Sequence, residues 1–133
     1  MPPPALSRLD HFVLTVASIP RAAAFYRDAL GMGVETFRPA DGSTRTALTF
    51  GAQKINLHEA GREFDPKAAA PTPGSGDFCL ISAAPTEAWL AHFNALGVAV
   101  EDGPVARTGA AGPIVSLYVR DPDGNLVEIA RPA

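Results

Sequence analysis

The chain has 133 residues, about the length of one compact domain, and 47% of them are hydrophobic, enough to build a core. Its formal net charge of −3 gives no basic footprint for nucleic acid or for an anionic membrane surface, and no stretch approaches the ~20 apolar residues of a membrane span. A single cysteine, Cys79, excludes an intrachain disulfide, and the opening MPPPALSR lacks the apolar run of a signal peptide; together these lead us to expect a cytoplasmic protein.

The first element is LDHFVLTV, whose alternation puts Phe12, Leu14 and Val16 on one face of a strand and His11, Val13 and Thr15 on the other. A helix follows. Ser18 suits its N-cap, Pro20 its first turn, and Phe25, Tyr26, Ala29 and Leu30 form an apolar stripe that Gly31 ends. Three strands come next: GVETF, TRTALTF and QKINLHE. The stretch from Glu59 to Gly76 is rich in Pro, Gly and Ala, breaks both periodicities and reads as a plain linker. The pattern then restarts. DFCLIS is a strand; a helix carries Trp89, Phe93 and Leu96 on one face and stops at Gly97; VAVED, IVSLYVR and NLVEIA are strands. DPDG joins the last two as a tight turn, with Pro122 and Gly124 at the positions that favour them.

The restart is a duplication. Displaced by 66 positions and without a gap, His11–Glu35 matches Asp77–Glu101, with Phe12 on Phe78, Leu14 on Leu80, Leu30 on Leu96 and Gly31 on Gly97. Each half therefore reads β-α-β-β-β, and the expected fold is α+β: two such modules, about 6–60 and 76–133, joined by a connector at 61–75. Within this repeat, His11 and Asp77 occupy equivalent positions on the first strands. His58 and Glu128 lie on the last strands, and all four face away from the helices. Lys54 and Asn56 share the His58 face, and Tyr118 matches Glu128 in parity across the final hairpin. Cys79 reads as an inert core thiol, and His92, in the second helix, is given no chemistry.

LDHFVL opening the first copy, INLHE closing it and YVRDPDGNLVEIA closing the second resemble the vicinal oxygen chelate superfamily. That superfamily includes glyoxalase I, extradiol ring-cleaving dioxygenases, fosfomycin resistance proteins and bleomycin resistance proteins. The resemblance covers essentially the whole chain. It implies a curved, mostly antiparallel eight-stranded sheet around a central pocket, a small-molecule substrate and a homodimer. It also implies one divalent metal ion (Fe, Zn, Ni or Mn) held by His11, His58 and Glu128. The remaining family ligand position falls on Asp77, where active members usually have His or Gln. Asp77 is expected to cap the connector, to bind the ion as a further ligand, or to stand beside it as an acceptor or proton carrier, with Glu128 as the leading catalytic base and Asp77 the weaker candidate. Tyr118, Arg120 and Asn56 are candidates for contacting substrate. The implied function is a metal-dependent enzyme of glyoxalase or dioxygenase type acting on adjacent substrate oxygens. The alternative is a non-catalytic, drug-binding protein of the bleomycin-resistance kind.

Overall fold

The computed structural model describes residues 1–133. β1 (His11–Val16) leads into α1 (Ile19–Leu30), then β2 (Gly33–Phe37), β3 (Arg45–Phe50) and β4 (Gln53–Glu59). The second module repeats this with β5 (Asp77–Ile81), α2 (Thr86–Leu96), β6 (Asp102–Gly109), β7 (Gly112–Arg120) and β8 (Leu126–Pro132). The strands form two four-stranded sheets, ordered β1-β4-β3-β2 and β5-β8-β7-β6, which do not close into a barrel. In each sheet the first and last strands of the module are parallel neighbours and the other pairings are antiparallel. That adjacency puts His11 and His58 on neighbouring strands, and Asp77 and Glu128 likewise, which alternation alone does not supply.

Local signals explain the helices. The Ser18 side chain accepts a hydrogen bond from the Arg21 amide at 3.3 Å, and Gly31 ends α1 at φ 69°, a left-handed conformation that costs glycine little. α1 buries Ala22, Ala23, Tyr26, Ala29 and Leu30. α2 starts after Pro85 with no side-chain cap and fully buries only Phe93; Leu96, expected on its apolar face, is exposed. The second strand of the second module also differs from expectation. Val98–Glu101 lies outside any strand, and β6 begins at Asp102 and runs through Gly103 and Pro104. Pro lacks the amide a central strand needs, but β6 is an edge strand with a register shift between Asp102 and Val105, where the missing donor is tolerated.

One core unites the modules. Leu14, Val16, Leu48, Ile55 and Leu57 of the first sheet join Leu117, Val119, Val127 and Ile129 of the second, together with Tyr26 and Phe93 from the helices. Each fully buried large apolar side chain here contributes roughly 1.5–3 kcal/mol. Phe12 and Phe78, equivalent in the repeat, meet with ring centroids 4.9 Å apart, so β1 and β5 lie at the junction of the two modules. The DPDGN turn locks that junction. Asp121 accepts from the Tyr26 hydroxyl at 2.7 Å and from the Asn125 side chain at 2.8 Å, and the backbone amides of Asp123 and Asn125 donate to its other oxygen. Asn125 in turn accepts from the Gly76 amide at 2.7 Å, which fixes where the connector enters β5.

Candidate functional site

On the face of the first sheet away from the helices, backbone register sorts the side chains into rows. Thr15 lies beside His58, Val13 beside Asn56, and His11 beside Lys54. Asn56 is flanked on its other side by Ala47, and Lys54 by Thr49. His11 and His58 thus share a face, as alternation requires, but stand four residues apart along neighbouring strands, about 13 Å at ~3.3 Å per residue. In the second sheet Asp77, Leu126 and Arg120 form one row, and Cys79, Glu128 and Tyr118 the next on the same face.

Each candidate has distinct surroundings. His11 is exposed and pairs with Asp10 at 2.8 Å. His58 is only 5% exposed. Its ring meets Phe64 of the connector edge-on at 5.6 Å, and the Arg45 guanidinium sits over the same Phe64 ring at 4.1 Å. Burial, and then the Arg45 charge, hold the His58 imidazole below its ordinary pKa, with Glu63 opposing. Glu128 accepts from Ser116 Oγ at 2.5 Å. Cys79 is exposed as a residue, against the expectation of a core thiol. Desolvation of its sulfur, then the Glu128 carboxylate, push the thiol up to about 11, so it stays protonated at neutral pH. The Tyr118 hydroxyl accepts from Arg107 Nε at 3.1 Å. Arg120 is committed to both oxygens of Glu101, each at 3.0 Å, and to the Gly124 carbonyl. Asn56 Oδ1 is buried with no hydrogen-bond partner.

These positions do not make a metal centre within one chain. No group of three His, Cys, Asp or Glu side chains lies close enough to hold an ion. His11, His58 and Glu128 are separated for a physical reason: alternation fixes the face of a strand, but the row depends on register. The two histidines occupy different rows, and the Glu128 carboxylate is held by Ser116 within its own module. Within one chain the residues present do not fit the divalent ion that the resemblance implies.

Space collects elsewhere. A cavity of about 440 Å³ lies where β1 meets β5, walled by Val13, Thr15, Asp77, Phe78 and Cys79 and by connector residues from Ala68 to Gly76. A second, of about 230 Å³, adjoins it, lined by Val13, Thr15, His58, Pro66, Lys67, Ala68 and Pro71. Among the residues singled out in the sequence, Asp77 lines the larger cavity and His58 the smaller; His11, Asn56, Tyr118, Arg120 and Glu128 line neither. The connector, read as a linker, is the wall these cavities share. Its three prolines between Pro66 and Pro73 and its alanines gave the only hint of a stiff apolar covering. Ser116, the residue that holds Glu128, was also missed; its parity with Glu128 across the β7–β8 hairpin was the available signal.

Comparison with known proteins agrees with this architecture. The family model for the Glyoxalase/Bleomycin resistance protein/Dioxygenase superfamily matches residues 8–129. Virulence protein STM3117 of Salmonella typhimurium is 48% identical over 126 residues, covering 95% of this chain and 85% of that one. Its crystal structure superposes with a TM-score of 0.91 over 97% of this chain and 99% of that chain. Glyoxalase domain-containing protein RDO1 of Mycosarcoma maydis is 48% identical over 122 residues, 92% of this chain and 66% of that protein. A lactoylglutathione lyase from Agrobacterium tumefaciens shares 26% identity with a TM-score of 0.68, over 96% of this chain and 95% of that one. With two βαβββ modules and a family match across nearly its whole length, the chain belongs to the glyoxalase/bleomycin resistance protein/dioxygenase superfamily, the vicinal oxygen chelate fold.

Proposed function

We propose that this chain binds a small oxygenated organic molecule in the joined cavities beneath the connector. The observation that carries this reading is the cavity of about 440 Å³ at the β1–β5 junction, eight of whose 14 lining residues are hydrophobic, with Thr15, Thr72, Ser75 and Asp77 supplying polar contacts. A mostly apolar hollow with a few convergent polar groups is the usual form of a small-molecule site. Catechol, which carries two adjacent oxygens, is the probe. Val13 lines both cavities, and a Val13→Trp variant fills them. Calorimetric titration is expected to show catechol binding to the wild type and at least tenfold weaker binding to Val13→Trp. Equal binding to both proteins overturns the reading.

A second reading, metal-dependent turnover of glyoxalase or dioxygenase type, is favoured by one observation. His11 and Asp77 are exposed at repeat-equivalent positions on the two first strands. Support also comes from the lyase named above. It requires a homodimer, in which a second copy supplies the donors that His11 lacks within one chain. Elemental analysis of protein purified without added metal separates the two. Stoichiometric Fe, Zn, Ni or Mn that is lost in His11→Ala supports turnover; its absence from a dimer that still binds catechol supports binding alone. The cytoplasm remains our proposed location, on the composition and the lone free thiol.

A further inference from the structure

His58 is buried to 95% yet spends none of its hydrogen-bonding capacity inside the chain. Its ring lines the smaller cavity beside Thr15, its register neighbour on β1. Phe64 braces the ring from the connector side, with centroids 5.6 Å apart, so the imidazole is held in place without a polar contact. Its ring nitrogens have no partner in the chain and are not sealed off, so a ligand in the cavity can reach them. Two residues along the same face, Asn56 Oδ1 is likewise unpartnered. The remaining walls are Val13, Pro66, Ala68 and Pro71, which are apolar, and Lys67, whose ammonium is paired with Asp65. We infer that this smaller cavity takes an uncharged, flat, hydroxylated ligand, whose hydroxyl bonds to the His58 ring and Thr15 while its apolar body lies against the prolines of the connector.

The charges around the cavity explain why the ligand is uncharged. Three ionic side chains approach His58, and each has its own partner. Arg45 is paired with Asp41 at 2.7 Å, Lys67 with Asp65 at 3.4 Å, and Glu63 accepts from the Gly61 amide at 3.1 Å. Neither cation is free to meet an anionic ligand, Glu63 lines neither cavity to meet a cationic one, and an unmatched charge brought into this space would lose its hydration. An imidazole with no partner in the chain offers one donor and one acceptor, which suits a hydroxyl.

This inference rests on the cavity reading above, and its test keeps the two apart. Phenol, anisole and benzoate are titrated calorimetrically into the wild-type protein, His58→Phe, Thr15→Val and Val13→Trp. His58→Phe keeps a ring against Phe64, and Thr15→Val is nearly isosteric, so a folding failure in one leaves the other informative. Phenol is expected to bind the wild type, to weaken about five- to tenfold in His58→Phe and by less in Thr15→Val, in line with the loss of one hydrogen bond. Anisole, which cannot donate, is expected to bind weakly and to be indifferent to His58→Phe. Phenol binding that survives His58→Phe but is lost in Val13→Trp overturns this inference and leaves the cavity reading standing. Benzoate binding more tightly than phenol overturns the uncharged class. No binding by any probe to the wild type overturns both.

Discussion

Asn56 shows how much a single atom can reveal. Its Oδ1 is sealed from solvent and accepts nothing, an arrangement that costs about 1–3 kcal/mol against a satisfied group. Replacing Asn56 by Leu, similar in volume, removes the orphan acceptor. Urea unfolding is expected to show a gain of about 1 kcal/mol for Asn56→Leu; a lower midpoint would mean that a donor fills this position in solution. His58 makes a second prediction. Its folded pKa lies below the unfolded value of about 6.5, because burial first and Arg45 next disfavour the imidazolium, with Glu63 opposing. As pH falls below about 6.5 the unfolded chain takes up a proton that the folded chain resists, so this group's contribution is fully present above that pH and declines below it. Arg45, Glu63 and Lys67 are the charged groups facing it. Wild-type stability should therefore fall more steeply than that of His58→Phe between pH 7.5 and 5.5. Parallel slopes in the two proteins would contradict the account. Sequence alternation correctly put His58 and His11 on one face. It carried no information on register, so the four-residue offset between them, which decides against a shared ion within one chain, stayed hidden.

At the scale of elements, the DPDGN turn is the joint between the modules. Asp121 is buried and accepts four hydrogen bonds, and the turn also reaches α1 through Arg21 and the end of β1 through the Ala17 amide. Asp121→Ala strands the Tyr26 hydroxyl and the Asn125 amide together, and should cost about 2–4 kcal/mol in urea unfolding. Tyr26→Phe leaves Asp121 three of its donors and should cost about 1 kcal/mol from this bond. A smaller loss for Asp121→Ala than for Tyr26→Phe would remove the turn from its joining role. Helix ends were legible because Ser18, Gly31 and Gly97 act locally: a hydroxyl caps an amide, and a glycine turns left-handed. β6 and the connector were not legible, because their conformations depend on distant partners. Pro104 is tolerated only because β6 lies at a sheet edge, and the connector is covering rather than linker only because β1 and His58 lie beneath it.

At the scale of the molecule, the two modules share one core on the helix side and leave their other faces open. β2 and β6 are unpaired sheet edges, and Leu6, Leu9, Val13, Val34, Ile81 and Leu96 are exposed. Open edges and exposed apolar side chains of this kind are commonly covered by association. Sedimentation equilibrium is expected to give a homodimer at tens of micromolar, a rough working range for a specific interface; a monomer there would contradict the homodimer and with it the metal-dependent reading, which needs a second copy.

The central claim is that ligand binding belongs to the cavities beneath the connector, not to a metal assembled from His11, His58 and Glu128. The most direct measurement is calorimetric titration of catechol into protein stripped with EDTA and dialysed, set beside the same protein reloaded with Fe(II), Zn, Ni or Mn. The account predicts the same affinity within about twofold in every case, a difference well under the 1.4 kcal/mol that marks a tenfold change. Binding that disappears on stripping and returns only with metal would contradict it.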